Sequence, residues 1–311
     1  MPENDPTSIE IRDLSFQYPL AEKETLHKIN LEIHQGEYVV ITGPTGSGKT
    51  TLALCLNGII PHLMEGELSG EVIVQGLQVA EHPVHELTPL IGIIFQNPED
   101  QLFSLNVTDE IAFGVENMGY SHAEIVSRVD EAIQKVGLAD RKNYSIFKLS
   151  GGQKQKVAIA SNLAIAPDIL ILDAPTADLD PVSANEVTQT LVDLRSENPR
   201  RTFIVINCDI SQVVNLATRL IVLAEGRIVL DGTPRDLLRQ HYSELAALGI
   251  RIPDHIRLMN WVVQEFPDLE VFELEEGKVA ELVERLMLAK RLAIHAPISI
   301  PRPTDRHRLH L

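Results

Sequence analysis

Gly43-Pro44-Thr45-Gly46-Ser47-Gly48-Lys49-Thr50 decides the reading of this 311-residue chain. The octapeptide has the form G-x-x-x-x-G-K-[ST]. It lies between an apolar run, Tyr38-Val39-Val40-Ile41, and a stretch from Lys49 to Asn57 that the pattern predicts as helix, with Gly58 as its stop. A strand, a glycine-rich loop and a helix together make a phosphate cradle. Glycines let backbone N–H groups converge on phosphate oxygens at a helix N-terminus, Lys49 brings a cation to the outer phosphates, and the Thr50 hydroxyl is a ligand for Mg²⁺. The expected nucleotide contacts are therefore Gly43 to Thr50 and the adjoining Thr51.

Working outward, Ile9, Ile11, Leu14, Phe16 and Tyr18 give a strand alternation, repeated at Leu31 and Ile33, so a β-rich layer precedes the loop. From about Asp109 to Ala166 the period turns helical. Ser121 and Glu124 form a capping-box pattern, followed by Ile125, Val129, Ile133 and Val136 up to Gly137; this predicts a helical subdomain over about 97–166. Ile169-Leu170-Ile171-Leu172, Phe203-Ile204-Val205-Ile206 and Leu220-Ile221-Val222-Leu223 read as parallel strands covered on both faces, giving an α/β core. Thr233-Pro234 opens a helix to about Gln240. A boundary near 240 leaves 241–311 as a C-terminal extension, in which three prolines between Ala296 and Pro303 discourage helix.

Lys and Arg number 27 against 44 Asp and Glu, a net charge of −17, and so acidic a surface argues against a nucleic-acid partner. No run approaches the ~20 apolar residues that cross a bilayer, and Met1-Pro2-Glu3-Asn4-Asp5 lacks the basic-then-apolar pattern of a secretory signal. A membrane role is then expected to be peripheral. Cys55 and Cys208 have no pairing pattern, suit a reducing compartment, and read first as small buried residues.

Asp173, at the end of an apolar run, offers a carboxylate at a strand's C-terminal edge as the second metal-binding element. Between it and the glycine loop, Leu149-Ser150-Gly151-Gly152-Gln153 resembles the signature of ATP-binding cassette (ABC) ATPases, a P-loop NTPase fold. The resemblance implies that these five residues contact the γ-phosphate of ATP held by an opposite subunit in a head-to-tail dimer. It further implies an adenine-stacking role for Tyr18, a Mg²⁺-sensing role for Gln96, and a loop communicating across the dimer at Ala177-Asp178-Leu179-Asp180. Phe95 to Phe103, with Ile111-Ala112-Phe113-Gly114, is similar to the energy-coupling factor (ECF) group, which drives uptake of vitamins, cobalt or nickel. The likeness covers about residues 8 to 240. It implies an ATP- and Mg²⁺-dependent subunit on the cytoplasmic face of the cell membrane. Its partners would be a second ABC ATPase, a transmembrane coupling subunit and a substrate-binding membrane subunit, with 241–311 aiding dimerisation.

Two positions depart from the family pattern. Ala174 stands where a Glu polarises the attacking water, and Cys208 stands where a His contacts the γ-phosphate. Ala has no proton acceptor and a thiol is a weak donor. A positioned general base contributes about 10²–10⁴-fold, so binding should survive while hydrolysis at this chain's own site is slow. An intact signature beside a damaged catalytic half implies an asymmetric pair. Other readings of the same residues are an ATP-binding pseudoenzyme that regulates a partner, or a soluble ABC protein outside transport.

Overall fold

The structure, a computed structural model, describes residues 6–211, 214–266 and 271–294; the proline-rich stretch between Ala296 and Pro303 lies outside them. Strands β1 (Thr7–Gln17), β2 (Leu26–His34), β4 (Glu67–Val74) and β5 (Leu77–Gln78) form an antiparallel sheet in the order β2-β1-β4-β5. The apolar alternation of Ile9, Ile11, Leu14 and Phe16 places these side chains in the core. Between β2 and β4 lie β3 (Tyr38–Thr42), α1 (Lys49–Leu56) and the single turn α2 (Ile59–His62). After β5 come the short α3 (Val84–Leu87) and β6 (Ile91–Ile94).

The helical subdomain follows as α4 (Val107–Glu116), α5 (His122–Lys135) and α6 (Gly151–Ile165). Val107, Ile111 and Val115 of α4, Val129 and Ile133 of α5, and Val157 and Leu163 of α6 are buried. The Ser121–Glu124 capping box forms at the start of α5. Glu110, only 4% exposed, turns its carboxylate back onto the loop before its helix. There it accepts the N–H groups of Phe103 at 3.0 Å and Ser104 at 2.7 Å.

The rest of the chain completes the core with β7 (Ile169–Asp173), α7 (Pro181–Glu197), β8 (Thr202–Ile206), β9 (Arg219–Ala224) and β10 (Arg227–Gly232). The second sheet runs β10-β9-β3-β8-β7-β6. β3, β7 and β8 are buried along their whole length, as Ile/Val runs covered on both faces must be. One edge differs from an all-parallel expectation: β10 pairs antiparallel with β9. Only Glu225 and Gly226 separate them, both with positive φ, and a two-residue link can make a hairpin but not a parallel crossover.

Thr233 caps α8 (Pro234–Gln240), and α9 (Tyr242–Ala247) follows. The compact first unit runs to Pro253, past 240: Leu245 is fully buried and Ile250 nearly so, and the Arg251 N–H reaches the Cys208 carbonyl at 3.3 Å. The second unit, Asp254–Leu311, contains α10 (Asp254–Glu265) and α11 (Glu276–Ile294). Within it Trp261, Val262 and Phe266 meet Val283, Leu286 and Met287. Among the described residues no helix is long and apolar enough to cross a membrane.

Removing the buried Glu110 carboxylate leaves the N–H groups of Phe103 and Ser104, in a partly exposed loop, without their acceptor. Glu110→Ala should therefore lower stability by about 2 kcal/mol, given that hydrogen bonds to a charged group are worth ~1.5–3 kcal/mol each and water re-enters part of the gap. A fall in the urea midpoint of the far-UV signal checks this.

Candidate nucleotide site

The pairing of the parallel strands brings distant segments to one edge. Ile41 of β3 is level with Ile206 of β8, which is level with Asp173 of β7, while Ile94 of β6 is level with Leu172. The residues just beyond this row therefore emerge side by side at the carboxyl ends of the strands, where open α/β sheets hold their ligands. Two backbone bonds extend the row: Asn207 N–H to the Ile41 carbonyl at 3.1 Å and Ala174 N–H to the Ile206 carbonyl at 2.7 Å. The outcome is a cleft of about 260 Å³ whose lining includes Thr45, Gly46, Gly48, Lys49, Thr50, Thr51, Gln96, Asp173, Ala174 and Cys208.

The loop from Gly43 to Gly48 passes too close to neighbouring backbone for a side chain at either of its end glycines. Gly48 has φ +98°, and a Cβ there would lie 2.8 Å from the Thr25 carbonyl oxygen; one on Gly43 would lie 1.9 Å from that of Leu223. Lys49, 8% exposed, donates to the carbonyls of Gly43 at 2.9 Å and Pro44 at 2.7 Å and to Ser47 Oγ at 3.3 Å. Gly43, Pro44 and Ser47 thus steer the ammonium, while Thr45, Gly46 and Gly48 border the cleft itself. Helix α1 begins with no side-chain cap and no acid in its first turn, so its positive end is left to the cradle.

Thr50 Oγ1 donates to Asp173 Oδ2 at 2.6 Å, joining the helix start to the end of β7. Asp173 is 6% exposed. Burial raises its pKa above the ordinary carboxylate value, opposed by the Thr50 hydroxyl and the Lys49 charge. Gln96 completes the wall, its Nε2 donating to Asp178 Oδ2 at 2.9 Å. A hydroxyl, one carboxylate and an amide oxygen are all hard donors. They fit a divalent cation such as Mg²⁺ shared with phosphates rather than one caged by protein alone. No cluster of three or more His, Cys, Asp or Glu able to hold a metal occurs among the described residues.

Ala174 sits on this wall with φ +45°, a left-handed bend held by its bond to β8, and its methyl carries no acceptor. The expectation that both cysteines are small buried residues holds for Cys55, whose thiol burial pushes up to about 12. It fails for Cys208, which is exposed because it lies past the end of β8, on the loop bordering the cleft. Its Sγ reaches the Gly43 carbonyl at 3.5 Å, a weak thiol contact.

Other predicted positions lie apart from the cleft. Tyr18 is half-buried, its ring edge-on to Phe16 at 4.8 Å and its hydroxyl 3.1 Å from Thr51 Oγ1, and it is not part of the lining. Leu149, Ser150, Gly151, Gly152 and Gln153 are also outside it. Ser150 caps α6, its Oγ accepting the Gln153 N–H at 3.3 Å while Gln153 Oε1 accepts the Ser150 N–H at 3.2 Å. The helix therefore starts at Gly151. Asp180 caps α7, accepting from Val182, Ser183 and the Ser183 hydroxyl, which together hold its pKa below the usual range. Thr25, Ile206 and Asn207 also line the cleft, and no motif marked them because only the fold brings them there.

A glycine-rich loop at the carboxyl edge of a parallel sheet, with a Thr–Asp pair beside it, defines a P-loop nucleotide-binding protein. The family model for ABC transporters matches residues 26–177. A putative ABC transporter ATP-binding protein of Pyrococcus horikoshii is 41% identical over 250 residues, covering 80% of this chain and 87% of that protein. One from Methanosarcina mazei is 42% identical over 257 residues, covering 83% of this chain; the chain spans only 43% of that relative's length. The solved structure of cbiO1 from Clostridium perfringens, described as part of the ABC transporter complex cbiONQ, superposes with a TM-score of 0.69. It is 33% identical and covers 82% of this chain and 99% of that one. The chain belongs to the ABC transporter ATP-binding family and has its P-loop ATPase fold.

Because burial holds the folded-state pKa of Asp173 above its unfolded value near 3.8, the ionised carboxylate costs the fold stability at neutral pH, and that cost fades as pH falls toward the unfolded value. Asp173→Asn keeps an acceptor for Thr50 Oγ1. In EDTA at pH 7 it should melt at the same temperature as the parent or higher, the difference narrowing toward pH 4, while losing the extra stabilisation that Mg²⁺ adds to nucleotide. Thermal melts in the two media check both halves.

Proposed function

We propose that this chain is the ATP-binding subunit of an ECF-type importer, forming one half of a head-to-tail nucleotide-sandwich dimer on the cytoplasmic face of a membrane complex. The observation that carries the reading is a complete cradle beside an incomplete catalytic wall. Lys49, Thr50 and Asp173 are assembled at the cleft, whereas Ala174 and Cys208 occupy the two positions that would handle the attacking water and the γ-phosphate. In hydrolysis, water adds to the γ-phosphorus and gives up a proton as the bond to the β-phosphate oxygen breaks; bound Mg²⁺ would neutralise phosphate charge. Here nothing at residue 174 accepts that proton, so the site holds ATP and turns it over slowly.

The signature supports a division of labour. Ser150 and Gly151 are exposed at the N-terminus of a 15-residue helix, whose positive end suits the phosphate of a partner's nucleotide. Asp178 and Asp180 lie on the loop leading into α7, the segment read as communicating across the dimer, and residues 241–311 are read as aiding dimerisation. The transmembrane coupling subunit has a candidate seat on the helical subdomain, where Phe103 (62% exposed), Leu105 (73%) and Phe147 (75%) carry apolar surface into solvent. Phe103 stands edge-on to Phe113 at 4.6 Å, seven residues from Gln96, and Gln101 Oε1 ties that segment to the Phe95 N–H at 3.3 Å. Such a face would carry the state of the cleft to the membrane partner. The likeness to cbiO1 supports the ECF assignment; a separate membrane subunit would select the small micronutrient.

Restoring the lost groups tests the account of the defect. The backbone at Ala174 already holds an L-residue at positive φ, so Ala174→Glu adds no new backbone strain. Combined with Cys208→His it should raise hydrolysis at this site by about 10²-fold or more, beyond either single change, since both groups act on one transition state. Phosphate release by the assembled complex measures it.

The asymmetric dimer has its own test in that complex at saturating ATP. Ser150→Arg should abolish most ATPase activity by filling the partner's phosphate pocket, whereas Ser150→Ala, which removes the cap alone, should cost ~1 kcal/mol of stability and far less activity. Lys49→Ala should reduce activity less than Ser150→Arg. Equal damage from Lys49→Ala, or none from Ser150→Arg, would refute the arrangement.

A further inference from the structure

Gln96 and Asp178 lie 82 residues apart and meet through a single bond of 2.9 Å, the amide Nε2 donating to carboxylate Oδ2. We infer that Asp178 is a positioning residue that fixes which end of the Gln96 amide faces the cleft. The assignment rests on the cleft being a Mg²⁺–nucleotide site and adds a residue that the site's own lining does not contain.

An amide has two unlike ends, an NH₂ that only donates and an oxygen that only accepts, and it turns over readily unless its neighbours discriminate. An ionised carboxylate only accepts. Asp178 therefore holds the NH₂ end; the reversed amide would set its oxygen against Oδ2, two acceptors at hydrogen-bond distance. With the NH₂ end held, Oε1 is the end presented by a residue that borders the cleft together with Thr50 and Asp173. A hard oxygen in that company favours a divalent cation, whereas an NH₂ group would repel one.

Asp178 is itself held in place. Its turn is closed by Ala177 N–H to the Ala174 carbonyl at 3.1 Å and by Leu179 N–H to the Thr176 carbonyl at 3.3 Å, and Asp180 anchors the far end as the cap of α7. The restraint thus joins the loop after β6 to the loop after β7. Outer partners that orient a metal-binding group typically change metal affinity by about 10–100-fold when removed. Asp178 is exposed, so its replacement leaves the core untouched.

The test titrates the full chain with N-methylanthraniloyl-ATP in Mg²⁺ and in EDTA, the ratio of the two dissociation constants giving the gain due to the cation. Asp178→Ala should shrink that gain about tenfold, the lower end of the range for outer partners, while leaving the EDTA affinity and the melting temperature unchanged. Asp178→Asn offers Gln96 either a donor or an acceptor and should give a smaller loss. Gln96→Ala should remove most of the gain, and adding Asp178→Ala to it should change nothing further. The assignment is overturned if Asp178→Ala keeps the full gain, weakens binding equally in both media, or adds its effect to that of Gln96→Ala. A parent chain with no gain from Mg²⁺ would overturn the reading of the cleft and this assignment with it; a parent gain that survives Asp178→Ala overturns this assignment alone.

Discussion

The level pairing of β3, β8 and β7 is the constraint on which the rest of the molecule depends. Parallel hydrogen bonding fixes each strand's height against its neighbour, so Ile41, Ile206 and Asp173 share one row although more than a hundred residues separate the first from the last. A slip of one residue in β7 would turn Asp173 away from Thr50. The functional geometry is thus a by-product of packing, since the strands that set it are the fully buried ones.

The helical subdomain is tied to that edge by polar contacts rather than by further strands. Gln155, fully buried on α6, donates to the Phe95 carbonyl, and Asn162 on the same helix reaches that of Ile93, both at 3.3 Å. Lys154 pairs with Glu99 and Lys156 with Glu186 of α7. Helix α6 is therefore fastened to β6, to the segment after Gln96 and to α7. Hydrogen bonds of this kind have directional optima, so a displacement of α6 is felt by the Ile93 and Phe95 carbonyls before Gln96 and by the Glu99 side chain after it.

Much of this was legible in the sequence because it follows from short-range rules. Runs of Ile and Val with no polar interruption had to be covered strands, and Ser121, Thr233 and the glycine loop marked their turns and caps by residue type alone. What escaped depended on three-dimensional company. β4 is mostly exposed and opens on Glu67-Leu68-Ser69-Gly70, so no alternation announced it. Thr25 reaches the cleft only because its carbonyl lies under Gly48. The exposure of Cys208 follows from where β8 ends, and the partner of Gln96 lies on a loop after another strand. Ser150 and Gln153, read for a partner's phosphate, are also the capping box that starts α6.

Lys49 shows what the cradle contributes before any anion arrives. A free lysine samples many rotamers, and freezing them costs about 2 kcal/mol of entropy. Here two carbonyls and a hydroxyl have already fixed the ammonium, so the loss of freedom is borne by folding. A phosphate reaching that ammonium exchanges one set of oxygen partners for another and orders almost nothing new. Its affinity is then set by the competition among oxygens for one cation, and conditions that loosen the loop should weaken it through entropy without altering any group that touches the ligand.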